Sequence, residues 1–332
     1  MRIYKLRFLS ALHVDSKGSG EPETAEEFIR SDTLSAALCL AWSDIFPAPD
    51  FLHPPFRLSS AFPYIGNTLL FPIPLWQIWE KTDPADRKKR KKIRWISQSL
   101  LEKVLGGKKI RAEDVSQPSP GIAFSAAEKI PADPFWKNDE RQRVSVDRLG
   151  MQADGGLFFF GLQFFAPECG LWFAADVSAE KQKQMRAALD YLGDTGIGAD
   201  RNSGLGHFTI AEEKEWTPAT VKNSDGAFLL SLYNPAPPPE ENLQKLLHRS
   251  AYGLNTRSGW VVNSTLGRPP IRVFTEGSCF SGKPKGRVVE MLSGETKAKH
   301  KELAKLPHSA PRDFRALFLP CKLSDELREV TS

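Results

Sequence analysis

The stretch GIGADRNSGLGHF occupies residues 196–208, and the prediction of the fold starts from it. Four residues within an 11-residue span are glycines, namely Gly196, Gly198, Gly204 and Gly206. Glycine permits positive φ angles and a close approach of the backbone to a ligand. Exposed amides in such a loop can hold phosphate oxygens, and Arg201 adds a charged fork. The alternative is a loop shaped only for tight packing, since glycines also serve ordinary turns.

The elements around this loop weaken a nucleotide-binding hypothesis. Ser178 is predicted to cap a helix whose apolar face includes Met185 and Leu192, and residues 207–211 are predicted to form the strand after the loop. A dinucleotide fingerprint has the opposite order, in which a strand precedes the glycines and a helix follows them. A Walker A loop would also need a closing Gly-Lys-Ser/Thr, which is missing. A nucleotide-binding enzyme stays open only if the chain binds such a cofactor tightly.

The rest of the chain alternates strands and helices. Ile3–Leu9 is predicted to be a strand, Ser31-Asp32-Thr33 to cap a helix, and the basic run at 87–92 to lead into a helix that stops at Gly106-Gly107. Further strands are predicted at 157–165, 171–177, 227–233, 259–263, 271–274 and 287–292, and a short helix at 240–250. This order predicts an α+β protein with two ferredoxin-like (RRM-like) domains. We expect an N-terminal domain with inserted loops over 1–142 and a C-terminal domain carrying the glycine-rich loop over 143–332.

Composition limits the functional classes. The chain has 332 residues, 41% of them hydrophobic, so it can bury a sizeable core. The formal charge of +5 permits binding to a polyanion without showing it. No apolar run is long enough to span a membrane, no signal peptide is evident, and the four cysteines are isolated, which favours a reducing cytoplasm. Without paired cysteines or histidines at ligand spacing, we expect no metal site and no cofactor.

Two more segments join the glycine-rich loop in resembling a known family. They are FIRSDTLSAAL at residues 28–38, and VSVDRLG at 144–150 followed by GGLF at 155–158. All three resemble motifs of the RAMP superfamily, the RRM-like RNA-binding subunits of CRISPR systems. Their order and spacing are similar to those of the subunit that caps the 5′ end of the crRNA in type III-A (Csm) complexes, usually called the fourth Csm subunit. The likeness spans the chain from residue 1 to about 290 through three short motifs.

The resemblance implies a non-catalytic subunit of a complex that serves antiviral defence. Such a subunit grips the repeat-derived 5′ tag of the crRNA, docks on the large Cas subunit with polymerase-like and nuclease domains, and adjoins a RAMP backbone subunit. The residues that it implies for RNA binding are Arg30, Ser31, Arg148, Gly196, Gly198, Arg201, Asn202, Ser203, Gly204, Gly206 and His207. Two positions depart from the family pattern: His207 stands where arginine or lysine is common, and Asp200 places an acid in the loop.

Two alternative functions stay open at this point. One is the equivalent cap subunit of a Cmr-type complex. The other is a crRNA-processing endoribonuclease that uses His13 as its base, as enzymes of the same superfamily often do. His13 has no evident catalytic partner in the sequence, and a lone histidine is more often a satisfied core or surface residue. Metal-free cleavage of repeat RNA by the purified protein would distinguish the enzyme.

Several single features have both a structural and a functional interpretation. An aspartate near the first helix is implicated in RNA cleavage by RAMP backbone subunits, but Asp32 also suits a helix N-terminus, where an acid favours the dipole. The basic run at 87–92 either follows a phosphate backbone or forms a solvated helix face. Trp79, Trp95 and Trp136 either stack on bases or pack in the core.

Overall fold

The computed structural model describes residues 1–15, 23, 25–47, 50–80, 88, 90–117, 119–130, 134–144, 157–260, 267–292, 294, 310–324 and 327. The α-helices span Ser31–Ile45 (α1), Gln98–Leu105 (α2), Gln182–Thr195 (α3) and Leu243–Leu247 (α4). The first strands are Arg2–Phe8 (β1), Phe56–Leu58 (β2), Phe62–Ile65 (β3), Thr68–Pro72 (β4), Trp95–Ser97 (β5), Val115–Ser116 (β6), Ile122–Ser125 (β7), Trp136–Val144 (β8) and Leu157–Phe165 (β9). The later strands are Cys169–Val177 (β10), Phe208–Glu215 (β11), Gly226–Leu229 (β12), Leu254–Arg257 (β13), Ile271–Phe274 (β14), Cys279–Ser281 (β15), Val288–Glu290 (β16), Pro311–Asp313 (β17) and Phe318–Cys321 (β18).

A large mixed sheet dominates the fold and confirms the prediction of a mixed α and β protein. Its strand order is β11-β1-β10-β3-β4-β5-β7-β6, and β2 pairs with β10 beside β3. The pairing of β5 with β7 is parallel, whereas the pairs along the rest of this path are antiparallel. Smaller sheets are formed by β15-β12-β18 and by the pairs β13–β14, β16–β17 and β8–β9.

Strand β1 lies at the centre of the large sheet, between β10 and β11. Arg2 is opposite Ala175 of β10 on one side and opposite Glu215 of β11 on the other. The sheet therefore joins strands from both sides of the predicted boundary at residues 142 and 143, which itself falls within β8. The division into two domains at that point stays a prediction.

Both faces of the central strands are buried. Ile3 packs in a core shared with α2 and β12, whereas Tyr4 and Leu6 pack on the opposite face against α1 and α3. The two helices also contact each other across that face. Because successive side chains of a strand point to opposite faces, this double burial explains why β1 is rich in large apolar residues. Because α3 packs on this face of β1, the end of α3 and the glycine-rich loop that follows it lie beside the end of β1.

Two helix boundaries differ from the sequence-based expectation. The apolar residues after the basic run do not all continue one helix, because Trp95–Ser97 is strand β5, which pairs with β4 and β7. The helix begins only at Gln98 and ends before Gly107, whose φ of +85° suits glycine. In α1 the predicted cap lies one residue too late, since the helix begins at Ser31 and Arg30 is the N-cap residue. None of the helices in the described residues is long and apolar enough to cross a membrane.

Candidate nucleic-acid interface

The base of the glycine-rich loop packs tightly against residues 9–13. Gly198 and Gly206 have φ angles of +96° and +73°. A Cβ atom would collide with the carbonyl oxygen of His13 at the first position and with that of Ile197 at the second. Glycine is therefore required at both positions by backbone conformation and by space. The packing interpretation therefore holds for Gly198 and Gly206, and the ligand interpretation of the loop stays a prediction.

Backbone hydrogen bonds hold this base in place. The Ala199 amide donates to the His13 carbonyl at 3.0 Å, and the Gly206 amide donates to the Ala11 carbonyl at 2.8 Å. In the other direction, the Leu9 amide donates to the His207 carbonyl at 2.8 Å. The His207 amide donates to Ser10 Oγ at 3.0 Å. The loop is thus shaped by the protein before any ligand arrives.

The outer turn of the loop presents unused amides. Asp200 is left-handed, with φ 56° and ψ 30°, and is followed by a 3₁₀ turn at Arg201–Ser203 and by left-handed Gly204. Within the described residues, the backbone amides of Asp200, Arg201 and Asn202 donate no hydrogen bond. A left-handed residue followed by right-handed ones aims successive amides into one concavity, which is a recurrent anion-binding geometry. We call residues 200–204 the outer turn.

The charges around the outer turn favour an anion. The carboxylate of Asp200 forms an ion pair with Arg143 of β8, so the acid in the loop is neutralised from within the fold. The Arg143 guanidinium also lies 4.2 Å from the centroid of the Phe160 ring. Arg201, Asn202 and Ser203 are exposed, and the Arg201 side chain has no ion pair in the described part of the chain. Arg143 was not predicted as a site residue, because the spacing of residues 143 and 200 in the sequence gives no sign that they are in contact.

His13 is a core residue. It is 3% exposed, its Nδ1 lies 2.6 Å from the Gly161 carbonyl oxygen, and its ring centroid lies 4.2 Å from that of Phe160. A carbonyl oxygen only accepts, so Nδ1 carries the proton and donates. The ring is committed to these contacts beneath the loop, which supports the structural interpretation of His13 over the catalytic one.

Arg30 and Ser31 are engaged in internal contacts. Arg30 forms ion pairs with Glu26 and Glu276, each at 2.8 Å. Ser31 is 4% exposed, and its Oγ accepts a hydrogen bond from the Leu232 amide at 3.0 Å. The structure shows both residues holding segments of the fold together. Their assignment to RNA binding stays a prediction.

Asp32 lies in a buried ionic centre at the start of α1. Its carboxylate accepts from Nε and Nη2 of Arg257, each at 3.2 Å, and Nη1 of Arg312 lies 3.4 Å from Oδ2. Burial alone would raise the pKa of Asp32, but the charges of Arg257 and Arg312 lower it well below its usual range. A carboxylate that is 1% exposed and paired in this way suits a structural role better than a catalytic one.

Some of the other predicted site residues lie outside the described residues. These are Arg148 with the rest of residues 145–156, and Arg87 and Lys89 of the basic run. Within that run, Lys88, Lys91 and Lys92 are exposed, whereas the Arg90 guanidinium lies 4.8 Å from the Trp79 ring centroid. Among the described residues, no three histidine, cysteine, aspartate or glutamate side chains are grouped so that they could hold a metal ion.

The predicted stacking tryptophans are mainly packed inside the protein. Trp79 is 8% exposed and Trp95 is 5% exposed, so neither offers a ring face for a base. Trp136 is half-buried at the start of β8. Core packing is therefore the better interpretation for Trp79 and Trp95. Trp260, in contrast, is 54% exposed and was not selected from the sequence.

Comparisons with known proteins agree with the family predicted from the motifs. Residues 222–304 match the family model of the CRISPR Csm4 C-terminal domain. The chain is 28% identical over 250 residues to the CRISPR system Cms protein Csm4 of Mycobacterium tuberculosis H37Rv, covering 72% of this chain and 74% of that protein. It is 26% identical over 241 residues to the protein of the same name from Thermococcus onnurineus NA1, covering 69% and 72%.

Solved structures show the same fold. A chain of the Csm3–Csm4 subcomplex of a type III-A CRISPR-Cas interference complex superposes with a TM-score of 0.66 at 17% identity, over 96% of this chain and 98% of that one. A chain of the Csm1–Csm4 cassette in complex with pppApA gives 0.60 at 18% identity, over 98% of both chains. The matching C-terminal model, the two curated relatives and the shared fold agree in making this chain similar to Csm4, a RAMP subunit of Csm complexes.

Proposed function

We propose that this chain is the crRNA-binding Csm4 subunit of a type III-A (Csm) CRISPR interference complex and grips the repeat-derived 5′ tag of the crRNA. The observation that carries the proposal is the concavity of the outer turn, where three backbone amides have no partner in the described residues. Phosphate is the anion that a single-stranded RNA presents at every nucleotide. Amides and a guanidinium hold it without regard to base identity.

The loop is suited to this task because its base is already fixed. Hydrogen bonds from Ala199 and Gly206 to residues 11–13 hold the turn before RNA binds. Binding then requires little ordering of the backbone, which leaves more of the interaction free energy for affinity. Arg201 is exposed at the rim, where its guanidinium is accessible to a phosphate.

The strand order supports a ferredoxin-like unit around the loop. In this unit β1, α1, β2, β10, α3 and β11 occur in that order, with β3–β9 and α2 inserted between β2 and β10. Strand β1 lies between β10 and β11, β2 pairs with the other edge of β10, and both helices cover one face. The glycine-rich loop then connects the second helix of the unit to its last strand. We place the unit's end after β11, and a second unit would contain β12, β15 and β18. Such a division lies well beyond residues 142 and 143.

The partners follow from the family. The solved assemblies are described as Csm3–Csm4 and Csm1–Csm4 complexes, and we propose that this chain likewise docks on the large polymerase-like subunit and on a RAMP backbone subunit. We further propose that the subunit is not catalytic. The buried ring of His13 and the paired carboxylate of Asp32 support this, because neither group is open to an RNA substrate.

The test is a titration of the full chain with crRNA at several salt concentrations. Each cation that neutralises a phosphate of a single strand adds about −0.7 to the slope of log K against log salt. Arg201→Ala should therefore bind more weakly and make the slope shallower by about 0.7. The triple change of Lys88, Lys89 and Arg90 to alanine is the comparison. If the slope of log K against log salt changes in the triple variant and not in Arg201→Ala, the RNA contacts the basic run rather than the glycine-rich loop.

A matched pair at Gly204 tests the concavity itself. No atom lies within 4 Å of a Cβ built at Gly204, so a side chain there meets open space. Gly204→Asn and Gly204→Asp are equal in size and share the left-handed backbone, which both residues tolerate. Only the aspartate adds a negative charge beside the amides. We expect it to weaken crRNA binding well below the asparagine variant, and equal binding by the two would exclude an anion site here.

A further inference from the structure

The face of β1 and β11 that points away from α1 and α3 carries an excess of positive charge. Side chains of directly opposed residues in an antiparallel pair share a face, and successive side chains alternate. Lys5 lies opposite Glu212 and binds its carboxylate at 2.7 Å, and Lys214 binds the same carboxylate at 2.6 Å. Arg7 shares this face with Lys5, so three cations of the two strands accompany one carboxylate. Glu213 points to the face covered by the helices.

One end of this face is covered by the protein and the other end is open. Ile3 is fully buried in the core shared with α2 and β12. Arg7 and Leu9, further along β1, are exposed, and Leu9 exposes 62% of its surface. Arg7 lies opposite Thr209, and the Leu9 amide donates to the His207 carbonyl at 2.8 Å as the next pair. All four side chains therefore lie on one face. We call Arg7, Leu9, His207 and Thr209 the open end.

The open end adjoins the glycine-rich loop. His207 directly follows Gly206, whose amide is bound to the Ala11 carbonyl at the base of the loop. Gly204, the last residue of the outer turn, is three residues from His207. Such a segment spans at most about 11 Å. An RNA strand held at the outer turn therefore has the open end as its neighbouring surface.

The side chains of the open end combine a cation with apolar and aromatic groups. An exposed leucine on its own is ordinary on a protein surface. Here Leu9 lies in one row with the guanidinium of Arg7, and the half-buried imidazole of His207 lies on the opposing strand. Sites for single-stranded RNA combine cations that follow the backbone with aromatic and apolar groups that pack against unstacked bases. Glu212 does not oppose an RNA strand with a free charge, because both lysines of this face bind it.

We propose that crRNA held at the outer turn continues over the open end, where Arg7 binds a backbone phosphate and Leu9 and His207 pack against the adjoining base. The proposal rests on the proposed function and extends the RNA contact from the loop to strand β1. The family resemblance implied His207 but neither Arg7 nor Leu9. The new contact differs from the outer turn in its chemistry, because it uses side chains where the turn uses amides.

The first test replaces Arg7 and measures binding of the full chain to a synthetic single-stranded RNA that carries the 5′ tag. Arg7→Gln should bind about tenfold more weakly, as expected for the loss of one charged phosphate contact. It should also make the slope of log K against log salt shallower by about 0.7. Arg7→Lys should retain most of the affinity. Lys183→Gln is the control, since Lys183 is an exposed cation of α3, on the other side of the sheet, and its loss should change binding little.

RNAs with one neutral methylphosphonate linkage locate the phosphate that Arg7 contacts. At one linkage the neutral group should weaken binding to the parent and leave binding to Arg7→Gln unchanged, because the contact is already lost. For Arg201→Ala the same loss of effect should occur at a different linkage, close to the first in the RNA. If no linkage is specific to Arg7, the residue does not bind a phosphate and the inference is wrong.

Leu9 tests the apolar part of the site. Leu9→Ser should bind RNA about fivefold more weakly, the order expected for the loss of a small apolar contact, whereas Leu9→Met should bind like the parent. An RNA that lacks the base at the contacted nucleotide should bind Leu9→Ser and the parent equally. Because Arg7 and Leu9 are exposed, their variants should shift the melting temperature by about 1 °C at most. A large fall in melting temperature with unchanged RNA affinity would show structural residues and contradict the inference.

The two proposals fail in different ways. Weaker binding by Arg201→Ala together with unchanged binding by Arg7→Gln and Leu9→Ser would overturn the contact at the open end alone. A parent chain that binds no crRNA would overturn the proposed function, and with it the RNA at this surface. If the Arg7 and Leu9 variants bind RNA like the parent but lose a protein subunit from the assembled complex, the open end is a protein interface, which also contradicts the inference.

Discussion

Replacing Asp32 by asparagine tests how the start of α1 is held. The asparagine keeps the shape of the side chain and removes its charge. Arg257 and Arg312, which are 5% and 8% exposed, would then face each other without a carboxylate between them. Removing one partner of a buried ion pair destabilises a protein by about 3–5 kcal/mol, because a charge that stays buried loses that counter-ion.

This loss should appear in both chemical and thermal unfolding. At about 2 °C per kcal/mol for a chain of this size, the melting temperature should fall by roughly 6–10 °C. The midpoint of urea denaturation should fall in proportion. The slope of the free energy of unfolding against urea concentration should change little. Asp44→Asn is the control, since Asp44 is exposed on the same helix. Removing a charge there should change stability by less than about 0.5 kcal/mol.

The difference between the parent and Asp32→Asn should depend on pH in one direction. The ordinary pKa of the carboxyl is 3.8, and in the folded protein it is lowered. A lowered pKa gives a contribution that is fully present above the unfolded value and is lost as the pH falls towards the folded value. The gap in stability should therefore be constant near neutral pH and should shrink below about pH 4.

The opposite result would restore the catalytic hypothesis. If Asp32→Asn unfolds at the same urea concentration as Asp44→Asn, the ionic centre contributes nothing. If the same variant also abolishes an RNA cleavage that the parent complex performs, Asp32 acts on RNA and the structural interpretation is wrong.

Two further predictions concern the loop and the residues beneath it. Gly206→Ala should destabilise the protein by about 2 kcal/mol or more, as expected for strain at a special backbone position, because its Cβ would collide with Ile197. Gly204→Ala should lose only about 1 kcal/mol, since it meets no atoms, and equal losses in thermal melts would contradict the packing described here. His13→Ala should leave crRNA maturation unchanged while lowering stability, and a selective loss of maturation would favour the endonuclease.

The motifs indicated the resemblance to a family because each is a local pattern. The glycines of 196–206, the segment at 28–38 and their spacing suffice for a resemblance without any knowledge of long-range contacts. The strands at 157–165 and 271–274 were also predictable, because alternating or continuous apolar runs are properties of a short window. The structure confirms both, as β9 and β14.

Contacts between remote residues could not be derived in the same way. The pairing of β1 with β11 joins residues 200 or more positions apart. Strand β5 was wrongly predicted to be helix because its pairing partners β4 and β7 cannot be recognised from its own sequence. The partners of Asp32 are equally distant, at Arg257 and Arg312. In the sequence Asp32 resembles a helix cap or a catalytic acid, whereas in the structure it lies in a buried ionic centre.

The central place of β1 has a consequence for synthesis of the chain on the ribosome. Its first residues leave the ribosome long before β10 and β11, which pair with Arg2 at Ala175 and Glu215. At about 5–20 residues per second, that delay amounts to roughly 10–40 s. Throughout this time Ile3 lacks β12, and Tyr4 and Leu6 lack α3, which later help to bury them. Both edges of β1 are also open to wrong partners. The pairing of β1 with β11 can form only after Phe208–Glu215 has been made.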